Sequence, residues 1–376
     1  MDKTLNILFL CSWYPSRVLP TNGDFVQRHA EAVAIQHKVT IAHVISDKKA
    51  MQNIEITDEI INTVRTLIAY VKPTKNPIIK YFRFKKAYKL LLKKIEKIDV
   101  VHANVLFPVG KIALELKQKK DIPYIITEHH SIYHKPYNKE IGIIEKYYSK
   151  RIVKNASIVA PVSNDLAKSM QNYGLKGNYE TVPNVIDTSL FSPKKEQTKK
   201  QFTLLHVSNM VGLKNVNGIL RVVKKLETKL GSFHFYFIGG QATEYEKQAT
   251  ELAINLKQVT FINHIAHKEL ISYFQKADVF VLFSDIENLP CVIPEAFSCG
   301  TPVISSNVGG ISEYFPDDFG ILVAPNNEEQ LLDAIVKLHT NYKVKSPVEM
   351  HEYVVANFSK AQISKAFTEL YLQVLS

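Results

Sequence analysis

Two glutamates with seven residues between them, Glu287 and Glu295, stand in VLFSDIENLPCVIPEAFSCGTPVISSNVGG, residues 281–310. Glu287 falls in a polar loop, just after an apolar run that ends at Ser284. Glu295 comes about two turns later, in a stretch with helical spacing. A carboxylate accepts two hydrogen bonds from vicinal hydroxyls, so the pair suits both a hexose and a ribose. The loop amides and the helix N-terminus between them would receive a diphosphate. Gly300 ends that helix, Pro302 opens the next strand, and NVGG adds a further small-residue turn.

Short apolar runs alternate with longer amphipathic stretches along the whole chain, the rhythm of parallel sheets covered by helices. Strands are expected at 6–11, 38–45, 99–103, 123–129 and 157–163, then at 202–208, 234–240, 259–264, 278–284 and 302–308. Helices are expected at 24–36, 78–96, 109–119, 138–154, 163–172, 216–229, 243–255, 267–275, 292–299 and 328–339, with a last one over 349–375. The segment VPNVIDTSLFSPKKEQTKKQ is polar and aperiodic and reads as a linker. The expected organisation is therefore a Rossmann-like domain over 1–185, a linker over 186–200, a second Rossmann-like domain over 201–350, and a C-terminal helix over 351–376 packing back on the first. Ligands in such sheets bind beyond the carboxyl ends of the strands, where the loop of Glu287 lies.

A chain of 376 residues, 46% apolar and 22% charged, excludes disordered, collagen-like and coiled-coil classes. No apolar run approaches the length of a membrane span, and no signal peptide is read. Three cysteines, Cys11, Cys291 and Cys299, lack metal-ligand spacing and suit a reducing cytosol. The net charge of +11 is uneven: residues 1–190 carry 29 Lys and Arg against 17 acids, the remainder 18 against 19. Ten basic residues and one acid, Glu96, fall within 72–97, where Ile78, Tyr81, Phe82, Phe84, Tyr88, Leu91, Leu92 and Ile95 recur at helical spacing. Such a helix suits an anionic membrane surface, or else packs its apolar stripe on its own domain. No nucleic-acid-binding motif accompanies the charge, and nucleic acid is not an expected partner.

The stretch 281–310 resembles the donor-binding signature of retaining glycosyltransferases of family 4, which have the GT-B architecture of two Rossmann-like domains facing each other across a cleft. SWYPSRVLPTNGDFVQRHAEAVA, DVVHANVLFPVGKIAL, YIITEHHS, APVSNDLAKSM, VPNVIDTSLFSP, LLHVSNMVGLKNVNGIL and FYFIGG extend the resemblance over most of the chain. It implies that Gly23 lies close to the donor phosphates and that Lys214 neutralises the diphosphate. It implies that Glu287 contacts the transferred sugar, that Glu295 holds the nucleotide ribose, and that His129 sits near the reacting centre. It also implies donor contacts at Asn209, Asn288, Leu289 and Pro290. Two departures stand out: Asn209 occupies a position where the family often has Arg, and ENLP replaces the common EGFG.

The expected activity is a hexosyltransferase. It would move a sugar from a UDP- or GDP-sugar to a glycan or lipid-linked acceptor in surface polysaccharide or lipopolysaccharide assembly, with retention and without metal or other cofactor. Preorganised positive charge at the leaving diphosphate is the main help such a reaction needs; Lys214 and helix amides supply it, with Arg17 and Arg28 as further sources. The expected place is the cytoplasm, at the inner membrane face. Two alternatives stay open: a non-catalytic nucleotide-binding subunit, which the two departures favour, and a GT-B-like nucleotide-sugar epimerase.

Overall fold

A computed structural model describes residues 4–135, 137–193, 201–240, 242–340 and 343–376. The chain divides into two α/β units, Met1–Val185 with Lys360–Ser376, and Ile186–Ser359. The first contains strands β1 (Asn6–Cys11), β2 (Lys38–Ser46), β3 (Ile54–Ile61), β4 (Val64–Val71), β5 (Val100–Asn104), β6 (Tyr124–Glu128) and β7 (Ile158–Pro161), with helices α1 (Asp24–Val33), α2 (Pro77–Leu92), α3 (Gly110–Lys120), α4 (Ile143–Asn155) and α5 (Asn164–Asn172). Its sheet order is β3-β4-β2-β1-β5-β6-β7, parallel except where β3 runs against β4. The central strands β1, β5, β6 and β7 are buried nearly throughout, which is why they read as continuous apolar runs rather than alternations.

The β3–β4 hairpin is absent from the expected strands. Its turn, Asn62-Thr63, places both residues at positive φ, 47° and 71°, as the tight primed turns require. Without a glycine there, the usual hairpin signal is missing.

The second unit holds β8 (Phe202–Ser208), β9 (Phe233–Gly239), β10 (Val259–Ile262), β11 (Val279–Leu282), β12 (Val303–Ser306) and β13 (Gly320–Val323). Its helices are α6 (Val216–Lys229), α7 (Ala242–Glu251), α8 (Leu270–Lys276), α9 (Val292–Ser298), α10 (Glu328–Thr340) and α11 (Pro347–Phe358). All six strands are parallel, in the order β10-β9-β8-β11-β12-β13. The direction of winding reverses between β8 and β11, and the loops leaving those two strands open a crevice there. β13, four residues long, is also missing from the expected set.

The single helix expected over 349–375 is two. Ser359 is extended (φ −61°, ψ 155°) and separates α11 from α12 (Lys360–Gln373). The expected C-terminal segment 351–376 is therefore split, because residues up to Ser359 belong to the second unit and α12 to the first. Ile363, Phe367 and Tyr371 of α12 lie in the first unit's core beside Phe9, Val26 and Ile41. Of the expected linker, 194–200 lie outside the described residues; the Ile186 amide donates to Phe358 O at 2.9 Å, tying that strand of chain to the end of α11.

The basic helix also divides. Asn76 caps α2 by accepting from the amides of Ile78 and Ile79, and Pro77 opens its first turn. Tyr88 and Leu91, in its second half, pack inward. In its first half Ile78 and Phe82 are 65% and 61% exposed, with Ile79 and Tyr81 beside them also in solvent. The second half of the helix thus packs on its own domain, while the first half leaves its apolar residues exposed.

Candidate functional site

Lys214 and Glu287 meet in the crevice where the second sheet reverses its winding. Lys214 closes a short 3-10 turn, Gly212–Lys214, between β8 and α6; Glu287 sits in the loop after β11. Lys214 Nζ donates to Glu287 Oε1 at 2.5 Å, and Ser284 Oγ donates to the same oxygen at 2.7 Å. Both side chains are largely buried.

Backbone contacts lock the loops around this pair. The Asp285 amide donates to Leu213 O at 2.8 Å, joining the Glu287 loop to the lysine turn. The Gly310 amide donates to Asn288 O at 2.8 Å. A Cβ on Gly309 would stand 1.8 Å from Glu287 O, and its φ is +58°, so the second glycine turn allows the loop to lie where it does. Asn288 and Pro290 are half-buried and Leu289 is buried, whereas Asn209 is exposed just beyond β8. His206, buried in β8, bonds Val281 O and Ser208 Oγ and so ties β8 to β11; desolvation lowers its pKa to about 4.

Glu295 lies on α9 and is 1% exposed. His267 Nε2 and Glu295 Oε1 share a hydrogen bond at 2.8 Å, and the His267 ring packs on Phe191 at 4.8 Å. The sequence reading missed His267. Only the fold brings it to a carboxylate 28 positions away. α9 spans only seven residues, so Lys214 is a stronger positive feature here than that helix's dipole.

Gly23 and His129 belong to the first unit, as do Arg17 and Arg28. Gly23 has φ +76°, and a Cβ there would stand 2.5 Å from Trp13 C, so only glycine lets α1 begin against the loop after β1. His129 follows β6 and packs on Phe25 at 4.5 Å and His29 at 5.4 Å. Desolvation holds its pKa well below the usual histidine value, so it is neutral at pH 7. Beside it, the buried Glu128 accepts the amides of Leu106, His129 and His130, each at 2.8 Å, and burial pushes its pKa up to about 7.

Arg17 corrects an expectation. Its guanidinium donates to Asp47 at 2.8 Å and to Glu55 at 2.6 Å and lies 3.8 Å over the Tyr70 ring. Its charge is paired with Asp47, just after β2, and with Glu55 of β3 rather than standing free. Arg28 pairs with Asp24 at 3.1 Å on its own helix. Among the described residues no group of three or more His, Cys, Asp or Glu is placed to hold a metal ion.

Two family descriptions match the chain, Glycosyl transferases group 1 over residues 187–356 and Glycosyltransferase Family 4 over 24–190. The putative teichuronic acid biosynthesis glycosyltransferase TuaC of Bacillus subtilis is 24% identical over 98% of this chain and 99% of its own. The capsular polysaccharide biosynthesis glycosyltransferase CapH of Staphylococcus aureus is 27% identical over 64% and 68%. Among solved structures, sucrose-phosphate synthase of Thermosynechococcus elongatus superposes with a TM-score of 0.79 at 20% identity, covering 98% of both chains. Anabaena HepE in complex with UDP-glucose superposes with a TM-score of 0.73 at 15% identity, over 98% of this chain and 100% of its own.

Proposed function

Because the chain belongs to the group 1 glycosyltransferases of family 4, we propose that it is a retaining hexosyltransferase of polysaccharide assembly, taking its sugar from a nucleotide-sugar donor held by the second unit. The observation that carries this reading is the interlocked Lys214–Glu287 pair at the winding reversal. Lys214 takes the diphosphate, and its charge grows in value as the anomeric C–O bond breaks and negative charge collects on the leaving oxygen. Glu287, freed in part from Lys214 by the incoming phosphate, accepts from the sugar hydroxyls. Glu295, oriented by His267, accepts from the ribose.

Retention follows a same-face course. The acceptor oxygen bonds the anomeric carbon on the side the diphosphate leaves, and the acceptor's proton passes to a phosphate oxygen. Neutral His129 serves as a hydrogen-bonding group of the first unit rather than as a cation. No metal is required in this scheme, so chelator should leave turnover unchanged. The names of TuaC and CapH support a polysaccharide pathway for this chain.

No helix among the described residues is long and apolar enough to cross a membrane. The exposed Ile78 and Phe82 of α2, with Ile143 and Ile144 of α4, support peripheral binding to an anionic bilayer at the inner face. Ile78→Ser with Phe82→Ser should weaken binding to anionic vesicles a hundredfold or more, given roughly 1.5–3 kcal/mol per buried large side chain. Unchanged binding removes the membrane reading and leaves the enzymatic one.

The test of the donor site is calorimetric titration of UDP and of GDP, without metal, into the chain and into Glu295→Ala. Binding of one nucleotide, lost in the variant, supports the reading. If neither binds, a non-catalytic role takes its place.

A further inference from the structure

Glu128 ends β6 and is 1% exposed. Its Oε2 accepts the Leu106 amide, and its Oε1 accepts the amides of His129 and His130. One carboxylate thus ties the loop leaving β5 to the loop leaving β6, both at the carboxyl edge of the first sheet. Among the described residues no cation offsets its charge. A buried, unpaired carboxylate is a costly way to satisfy three amides.

The β5 loop carries a second cost. Val105 has φ +69°, in the left-handed region, where a β-branched side chain is strained. Neighbouring groups hold the turn on each side. The Val105 amide donates to Thr127 O at 2.8 Å, the fully buried Leu106 donates to Glu128, and Ser12 Oγ donates to Phe107 O at 3.4 Å. Trp13, the only tryptophan of the chain, packs on His130 at 5.1 Å beside these loops. A strained turn persists where its surroundings over-determine it, and such turns gather at working sites.

We propose that Glu128 is a positioning residue, whose carboxylate holds the strained β5 turn and the His129–His130 turn in one arrangement and so fixes where the His129 ring is presented. The part given to His129 rests on the transferase reading above; the clamp itself stands on the geometry.

The clamp is linked to a proton. Protonated Glu128 carries a hydrogen on one oxygen. If Oε1 keeps its two amides, Oε2–H faces the Leu106 amide, two donors meet, and the strained turn loses its tether. Burial pushes the Glu128 pKa up to about 7, which brings this exchange into the neutral range. Around it, burial holds His129 and His130 below the usual histidine value and Tyr133 and Tyr179 above the usual tyrosine value, so all four are mainly neutral at pH 7. Glu145 of α4 adds like charge, which makes Glu128 harder to ionise.

Hydrogen exchange on the full chain, corrected for the intrinsic rate at each pH, tests the clamp without substrate. A carboxyl of pKa about 7 is about nine-tenths ionised at pH 8 and about one-tenth at pH 6. Protection of residues 104–109 should therefore fall about tenfold between those values, while β1 keeps its own. In Glu128→Gln it should be low at both, because the side-chain NH₂ meets backbone donors. His130→Gln should keep the fall, since Glu128 bonds that residue's amide and not its ring. A fall that survives Glu128→Gln, vanishes in His130→Gln or is absent from the unaltered chain overturns the proposal. Should Glu128→Gln not fold, Val105→Gly takes its place: glycine adopts φ +69° freely, so protection at pH 6 should rise. Unchanged protection there overturns the clamp.

Kinetics read the positioning role. Release of UDP from UDP-glucose, or of GDP from GDP-mannose, with water as acceptor should lose kcat tenfold or more in Glu128→Gln at unchanged donor KM. A change confined to KM overturns that role. If the unaltered chain releases neither nucleotide while the protection behaves as expected, the transferase reading falls, and the role of His129 with it, but the clamp stands.

Discussion

The two units share a parallel-sheet plan but fill it differently. The second is built on phenylalanine: Phe235 stacks on Phe237 at 4.3 Å, Phe237 on Phe261 at 5.0 Å, and Phe274, Phe280 and Phe283 are fully buried. The first places histidines where the second places rings of carbon. His29 and His102 pack on Phe367, His102 on Phe9, and His43 bonds Cys11 O beneath Tyr14. A buried imidazole gives up little packing when neutral, yet resists protonation, so the first core carries the stronger dependence on pH.

That contrast can be broken most sharply with acid. Desolvation lowers the pKa of His29 and of His43 to about 4, and drives His102 and His129 well below the usual value. Their stability is complete above pH about 6.5 and drains as the pH falls toward 4, because the unfolded chain takes a proton that the folded one refuses. At pH 5, His29 and His43 each cost about 2 kcal/mol. Glu128, raised to about 7, works the other way: its folded state gains the proton first, and it recovers stability between pH about 7 and 4.5, offsetting roughly one histidine. The second unit has His206 alone among its fully buried histidines, with the same downward shift. Calorimetric scans at pH 7.5 and 5.0 should show the transition reported by Trp13 falling much further than the other. Equal falls would mean that the histidine cores are not what distinguishes the units.

Phe367→Ala should sharpen the same comparison, costing the first unit about 3–5 kcal/mol while the other transition stays in place. Movement of both transitions would show the units to be energetically one. On the catalytic side, Lys214→Ala should lower kcat by 10² to 10³ through loss of charge at the leaving group, with the Trp13 signal unaltered. A fall confined to KM would reassign Lys214 to ground-state binding. The smallest effect is expected of His267→Gln, which removes one oriented hydrogen bond to Glu295. Nucleotide binding should weaken tenfold at most, from about 0.5–1.5 kcal/mol.

The second unit was the more legible in sequence. Its strands β8 and β11 are apolar runs of the expected length, and the elements that carry Lys214, Glu287 and Glu295 lie close to where periodicity places them. Their meeting is another matter. The 73-residue separation of Lys214 from Glu287 is closed by sheet order, which no local pattern records, and His267 acquires its partner in the same way. In the first unit the edge hairpin escaped notice because IEITDEII, half-exposed and acidic, lacks the continuous apolar run of its neighbours. Arg17 was misread for the same reason, since one of its partners, Glu55, lies on that unrecognised edge. The break at Ser359 interrupts a helical pattern with no proline or glycine to mark it.

That break has a consequence for the order in which the protein is made. The first unit's core is unfinished until α12 supplies Phe367 and Tyr371, the latter bonding His102 at 2.7 Å. Domains ordinarily fold in the order they leave the ribosome. Here the second unit, one uninterrupted stretch of chain, can close first, while the unit begun earlier waits with an open apolar face for the last residues to arrive. A stop codon placed just after α11 would leave the later unit whole and the earlier one without its final wall.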